Sequence, residues 1–436
     1  MAPKLRSLSM PRDDLAWEEN DKETDTWERS LHKAGLYRAI ANLIKKYRPS
    51  EAVELIGRSE GYNIFYRSEY KDGSSAAMRI ASVRNLAYGI IRFPEEKVRY
   101  EVATIRCIAA SITIPMPKIY HFGTAAENPT GLGPFIIMDY IEHERTMSEA
   151  LKDPALEPEE RHVLDPNISA QMLKFLYGQM VNILLQLSTV TFPRIGSLDE
   201  NKNGPFSVSG RPLVQGMNSL LDLFRQLASK GRLTSEAEPK EDGNNPSVFP
   251  LFSSYLRPSN VLIDKDLRVV GVIDWKFVCA AQAQFSFDPP WWLLLKSPED
   301  WPTGYIHWIE TYEPRLETFL RVLEDEEKYM QASSEIGNGL ANLSLSSDRS
   351  VAFSQRMRES WQRKTWMINY AARSSWEFDV IFWRFWDAMY FGPNEEADHR
   401  ARLGLLIRNE IEAMEPLVKT KWRRSRNGSW PLETLA

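Results

Sequence analysis

The sequence predicts an α+β fold, with a small β-sheet first and a mainly helical remainder after it. Three observations carry this. Between residues 52 and 83, strand-length apolar runs (Ala52–Ile56, Ile64–Arg67, Ala76–Val83) are separated by turn signals, including Asp72-Gly73. From Gln171 onward helical spacing dominates, as in Leu173, Leu176, Met180, Ile183, Leu184 and Leu187. Within that helical part stand two β-branched runs, Val261–Ile263 and Val269–Ile273, separated by Asp264-Lys265-Asp266. They read as a hairpin with buried strands.

The totals are those of a large globular chain. Its 436 residues suffice for a two-lobed body, and fourteen tryptophans call for broad aromatic packing. A formal net charge of −5 points away from nucleic acid as a partner. Two cysteines, Cys107 and Cys279, are too few for a disulfide framework, which makes a reducing, cytoplasmic setting the expectation. The first residues lack an apolar core, so no signal peptide is expected, and no run approaches the length of a membrane span.

Taken in order, residues 1–25 read as a polar arm. Thr26–Tyr47 has one helical face (Trp27, Leu31, Leu36, Ile40, Leu43, Ile44), ended by Pro49. Gly57 to Asn63 reads as a loop between strands. With Gly57, Gly61 and Asn63 it is either an ordinary permissive turn or a cradle of backbone N–H groups for phosphate. Arg79, in the middle of a strand, needs either solvent or an acidic partner. Pro94–Ala110 is the next helix, and on the residues alone its Glu95, Glu96 and Glu101 read as solvated carboxylates. Phe135–Ile141 is a buried strand running into a polar linker.

Farther on, Gln171–Val190 and Leu220–Leu227 read as helices and Thr234–Ser247 as an exposed loop. Asp288-Pro289-Pro290-Trp291-Trp292 reads as a helix start with packing aromatics, a stacking role for the tryptophans being the alternative. Tyr312–Tyr329 is helical, Ala332–Ser350 a disordered insert, and Val351–Phe391 helical again. Leu403–Val418 is a last helix, before a basic tail at 419–436.

The chemistry concentrates at the 249–277 stretch. A hairpin over 261–273 holds Asn260 at its entry and Asp274 just past its exit. An amide oxygen and a carboxylate held together suit Mg²⁺ bridging nucleotide phosphates, since that ion takes few protein ligands. A surface hairpin with a capping Asn and a solvated Asp is the plain alternative.

Ser253-Ser254-Tyr255-Leu256-Arg257-Pro258-Ser259-Asn260, followed by Ile273-Asp274-Trp275-Lys276, resembles the aminoglycoside phosphotransferase and choline kinase-like family. That family usually carries His-Gly-Asp-Leu-His-x-x-Asn and, after two strands, Ile-Asp-Trp-Glu. Fungal members show phrases like Gly61-Tyr62-Asn63, Phe192-Pro193-Arg194-Ile195-Gly196 and Pro289-Pro290-Trp291-Trp292-Leu293. The resemblance spans roughly residues 50 to 390. It implies a protein kinase-like two-lobed fold, with an N-lobe over 49–138 behind an arm and helix at 1–48, and a C-lobe over 139–418.

It further implies ATP and Mg²⁺ as cofactors and a small-molecule acceptor as partner. The metal ligands would be Asn260 and Asp274. Gly57, Gly61, Asn63, Arg79, its partner Glu101 (Glu95 and Glu96 being the alternatives), and the linker at Asp139, Tyr140 and Ile141 would hold the nucleotide. The catalytic Asp position, however, is Tyr255. Tyrosine titrates near about 10 and is a poor base at neutral pH. Ser253 replaces a His, and Lys276 an acidic residue. Two readings follow: a phosphotransferase lacking its base, or an inactive nucleotide- or ligand-binding scaffold.

Overall fold

The computed structural model describes residues 31, 33–60, 63–81, 84–85, 89–90, 93–157, 160–200, 206–211, 248–336, 351–373 and 381. The chain divides into two units: Met1–Leu31 with Trp376–Ala436, and His32–Ser375. All elements below belong to the second. The expected arm, the helices at 220–227 and 403–418, the 234–247 loop and the basic tail lie outside the described residues.

Helix α1 (Ala34–Tyr47) buries Ile40, Leu43 and Ile44. Before it Lys33 is extended and Leu31 lies in a turn, so the expected Thr26–Tyr47 helix is interrupted there; residues 26–30 lie outside the described residues. Strands β1 (Ala52–Glu60), β2 (Asn63–Tyr70) and β3 (Ser75–Ala81) follow, then a short ribbon of Arg84–Asn85 and Gly89–Ile90. Helix α2 (Pro94–Ser111) has Pro at its start, where the missing N–H costs nothing. Strands β4 (Ile119–Gly123) and β5 (Phe135–Asp139) complete an antiparallel sheet ordered β1-β2-β3-β5-β4. β2 alternates between half-buried and buried residues, whereas β3, the central strand, is buried throughout. The Arg79 side chain therefore enters a closed interior.

One expectation fails here. β1 does not stop at Ile56 before a glycine loop; it pairs with β2 through to Glu60↔Asn63. Gly57 sits inside that ladder, opposite Tyr66. A Cβ there would lie 2.7 Å from the Tyr66 ring and 2.7 Å from the Tyr37 hydroxyl, so glycine is what lets these aromatics close on the strand.

Beyond the linker, β6 (Arg145–Thr146) leads into α3 (Met147–Leu151), whose Thr146–Glu149 capping box fixes its start. Helix α4 (Ala170–Thr189) is capped by Ser169, which accepts from Met172 N–H. It packs on α5 (Tyr305–Ile336), with the Tyr177 ring edge-on to Phe319 at 5.5 Å. α5 is longer than the expected 312–329 helix. Its last turn takes in residues 332–336, the start of the expected disordered insert; 337–350 lie outside the described residues. α6 (Phe353–Gln362) and α7 (Thr365–Arg373) close the helical part, with Trp308, Tyr312, Trp361 and Trp366 stacked together.

Small sheets line the face of this helical part. β7 (Thr191–Phe192), β10 (Phe249–Ser253) and β13 (Val278–Ala280) form one, and β8 (Ser197–Glu200) with β9 (Phe206–Gly210) another. The expected hairpin is the third: β11 (Val261–Ile263) and β12 (Val269–Val272) pair with β6 on the far side of β11. The protein is thus α+β, a small antiparallel sheet with one packed helix followed by a mainly helical lobe. Among the described residues no helix is long and apolar enough to cross a membrane.

Candidate active-site cleft

The hairpin brings Asn260 and Asp274 together through its register. Val261 pairs with Val272, and Ile273 N–H donates to Asn260 O at 2.9 Å. A single 3₁₀ turn, Pro258–Asn260, sets the Asn260 side chain back towards the loop, where its Nδ2 donates to Tyr255 O at 2.7 Å. Asp274 leaves β12 in the left-handed region (φ 64°) and so turns its carboxylate away from the strand direction. Asp264 sits at the opposite end, accepting Asp266 and Arg268 N–H groups in the turn.

The Asp274 carboxylate already has a cation. Lys276 Nζ donates to Asp274 Oδ2 at 2.7 Å, with the lysine side chain 6% and the aspartate 17% exposed. Burial pushes this carboxyl up, but Lys276 and Arg79 outweigh it and hold it below the usual carboxylate range. The same ammonium stands 5.0 Å from the Tyr255 ring centroid, and that ring lies 5.4 Å from Phe277. Tyr255 and Lys276 therefore touch one another.

Across the cleft, Arg79 of β3 meets Glu101 of α2 in a two-point contact: Nη1–Oε1 at 2.7 Å and Nη2–Oε2 at 2.5 Å, with both residues buried. The alternatives have other engagements. Glu95 accepts from Ala125 N–H, and Glu96 lies 3.6 Å from Arg211. Lys97, one turn before Glu101 on α2, is also buried. Burial first, then the charges of Lys276 and Arg79, outweigh the attraction of Glu101 and Asp274 and lower its pKa to about 7. Three cations and two carboxylates thus converge, and the set carries more positive than negative charge.

The linker groups are largely engaged. Asp139 N–H donates to Lys118 O (2.9 Å) and Tyr140 N–H to Ser75 O (3.1 Å), while Ile141 O receives Nδ1–H of His143 (2.7 Å). The Arg67 guanidinium lies 4.1 Å from the Tyr140 ring centroid, and that ring packs against the Ala77–Met138 apolar cluster. The Ile141 side chain lies on Gly271 of β12, where a Cβ would come within 2.5 Å of it. Asn63 begins β2 with its Oδ1 buried and without a donor among the described residues. Gly61 lies outside the described residues.

No family model matches the chain, and no curated protein does. The chain is similar to solved structures of small-molecule phosphotransferases. One is a macrolide 2′-phosphotransferase from Brachybacterium faecium, 11% identical over 82% of this chain and 99% of that one, TM-score 0.37. A type I macrolide 2′-phosphotransferase is 12% identical over 86% and 98%, TM-score 0.38. An amicoumacin kinase in complex with AMP-PNP and Ca²⁺ is 14% identical over 74% and 93%, TM-score 0.34.

The donor set fits a divalent ion only in part: Asp274 Oδ1 is buried with no hydrogen-bond donor among the described residues and is open to a ligand, whereas Oδ2 is held by the Lys276 ammonium. A metal there would share one carboxylate with Lys276, beside Arg79 and Lys97. Among the described residues no group of three His, Cys, Asp or Glu could hold a metal ion. Lys97 is the cleft residue that the sequence reading missed. Its spacing of four from Glu101 puts both on one helix face, a signal present in the sequence but outranked by the acidic residues. The Pro-Pro-Trp-Trp run is a 3₁₀ turn in which Trp292 packs edge-on to Phe319, and Asp288 before it accepts from Ser360 and Asn369.

Proposed function

We propose that this chain is a kinase-like protein of the aminoglycoside phosphotransferase type that binds a nucleotide or similar polyanion in the cleft but does not transfer phosphate efficiently. The observation that carries this is the Tyr255–Lys276–Asp274 contact. The residue in the base position is a packed ring, and the carboxylate that would hold a metal is neutralised by a lysine two residues away. With Lys276 paired to Asp274 and Arg79 to Glu101, the excess positive charge offered to phosphate oxygens without an ion is that of Lys97 when protonated. Base catalysis is worth about 10²–10⁴-fold in such reactions, and a neutral tyrosine hydroxyl does not supply it.

Thermal unfolding with ATP, with and without Mg²⁺, tests this reading. A ligand that binds only the folded state at a hundredfold excess over Kd stabilises it by about 2.7 kcal/mol. The expected result is a rise with ATP alone that added Mg²⁺ does not increase, and ATP turnover at background. A rise seen only with Mg²⁺ would restore the phosphotransferase reading, and no rise at all would remove the nucleotide. The double variant Tyr255→Asp/Lys276→Glu should acquire the Mg²⁺ dependence that the native chain lacks.

A further inference from the structure

A second site lies in the helical lobe, on the other side of the turn that carries Asn260. Arg257, Ser259, Lys296, Arg161, Asp300 and Trp291 line a cavity of about 400 Å³, a size that suits a small organic ligand. Its charge is one-sided. Asp300 is the acidic residue of its wall, and it is taken up by an ion pair with Arg161 and a hydrogen bond from Ser297. Arg257 and Lys296 have no acidic partner among the described residues.

Just behind the wall, Arg257 Nε and Ser259 Oγ are shut off from solvent and have no hydrogen-bond partner among the described residues, so the turn they belong to has unused polar capacity beside the cavity. Buried donors are rarely left so. A guanidinium N–H, a hydroxyl and an ammonium are the groups that bind a planar or tetrahedral oxyanion. The Trp291 indole and the Pro258 ring add apolar surface to the same wall.

We propose that this cavity binds a small oxyanion, a carboxylate or a phosphate monoester, carried on an aromatic or aliphatic body. The Arg257 guanidinium and the Lys296 ammonium hold the oxyanion, and Trp291 covers the body. The site stands independently of any nucleotide in the cleft.

Titration calorimetry on the full chain with four probes tests it. Phenyl phosphate and phenylacetate carry the two forms of the anion, benzyl alcohol carries the body alone, and inorganic phosphate the charge alone. The expected result is binding of phenyl phosphate or phenylacetate at least about tenfold tighter than benzyl alcohol or inorganic phosphate. The better of the two anions tells a phosphate site from a carboxylate site. Arg257→Gln and, separately, Lys296→Gln should each weaken that binding by about tenfold or more, and Arg257→Lys should recover part of it. Lys296→Gln serves as the second arm, because its partly exposed side chain is removed without disturbing the buried turn. Equal affinity for the charged and neutral aromatic probes, undiminished affinity in both Gln variants, or no binding of either anion at 10 mM would overturn the proposal.

Discussion

Two ion pairs face each other across the cleft, and they are built differently. Arg79–Glu101 joins a central strand to a helix, 22 residues apart, through two parallel contacts between buried side chains. Asp274–Lys276 is local: two residues on one turn, made possible by the left-handed backbone at Asp274, with a single contact and partial exposure. The first pair ties two elements together and spends its charges on each other. The second neutralises a carboxylate in place and leaves its lysine facing an aromatic ring. The first pair therefore bears chiefly on how strand and helix are joined, and the second on what charge the Asp274 carboxylate presents.

The largest expected effect breaks the first pair. Glu101→Gln leaves the Arg79 guanidinium buried against a neutral amide, and losing one partner of a buried pair costs about 3–5 kcal/mol. Urea unfolding checks this. Arg79→Met/Glu101→Leu should recover most of the loss, and a loss below about 1 kcal/mol in the single variant would show that the pair does not join strand to helix.

Lys97 sharpens the contrast, since it feels both pairs. Its folded pKa of about 7 lies below its ordinary value of 10.5. The unfolded chain therefore binds the proton more tightly, and between these values stability must rise with pH. The slope is at most about 1.4 kcal/mol per pH unit, giving about 2 kcal/mol between pH 7 and 9. The urea midpoint should climb over that range in the native chain and climb less in Lys97→Met. Parallel profiles for the two chains would remove Lys97 from the charge cluster.

Much of this was legible in the sequence, and the reasons differ by element. The hairpin at 261–272 follows from two β-branched runs with a polar step between them and the helix at 170–189 from apolar period, whereas the helix at 94–111 is expected through the resemblance; all three fall within a residue of the observed bounds. The β1 end was not legible. Gly57 signals a turn by composition, yet here it serves a close approach of Tyr66 and Tyr37, a tertiary demand that no local pattern encodes. The Arg79–Glu101 contact was reached through family resemblance; among three candidate glutamates, only packing of α2 against the sheet selects one. That Lys276 binds Asp274, and that Tyr255 lies against Lys276, depends on a left-handed turn at a non-glycine residue, which sequence patterns do not announce.

Removing the second pair should cost less than removing the first. Lys276→Met frees Asp274 from its closest cation, but Arg79 and Lys97 still face the carboxylate and repulsion among the three cations falls. We expect a loss of about 1–2 kcal/mol by urea unfolding. The same change should move the Lys97 titration upward, because Lys276 is second only to burial in depressing it. A loss as large as that of Glu101→Gln would mean that the two pairs are equally structural and that the contrast between them is false.

The smallest effect is the most specific. If Tyr255 and Lys276 form one unit, their substitutions must couple. A cation over an aromatic face contributes about 0.5–2 kcal/mol, more when desolvated, and here the ammonium is buried. A cycle of Tyr255→Leu, Lys276→Met and the double variant should give a coupling of about 1 kcal/mol in unfolding free energy. Additivity within about 0.3 kcal/mol would show that the ring merely fills space. The lysine would then be placed by Asp274 alone, with no share in that placement from the tyrosine.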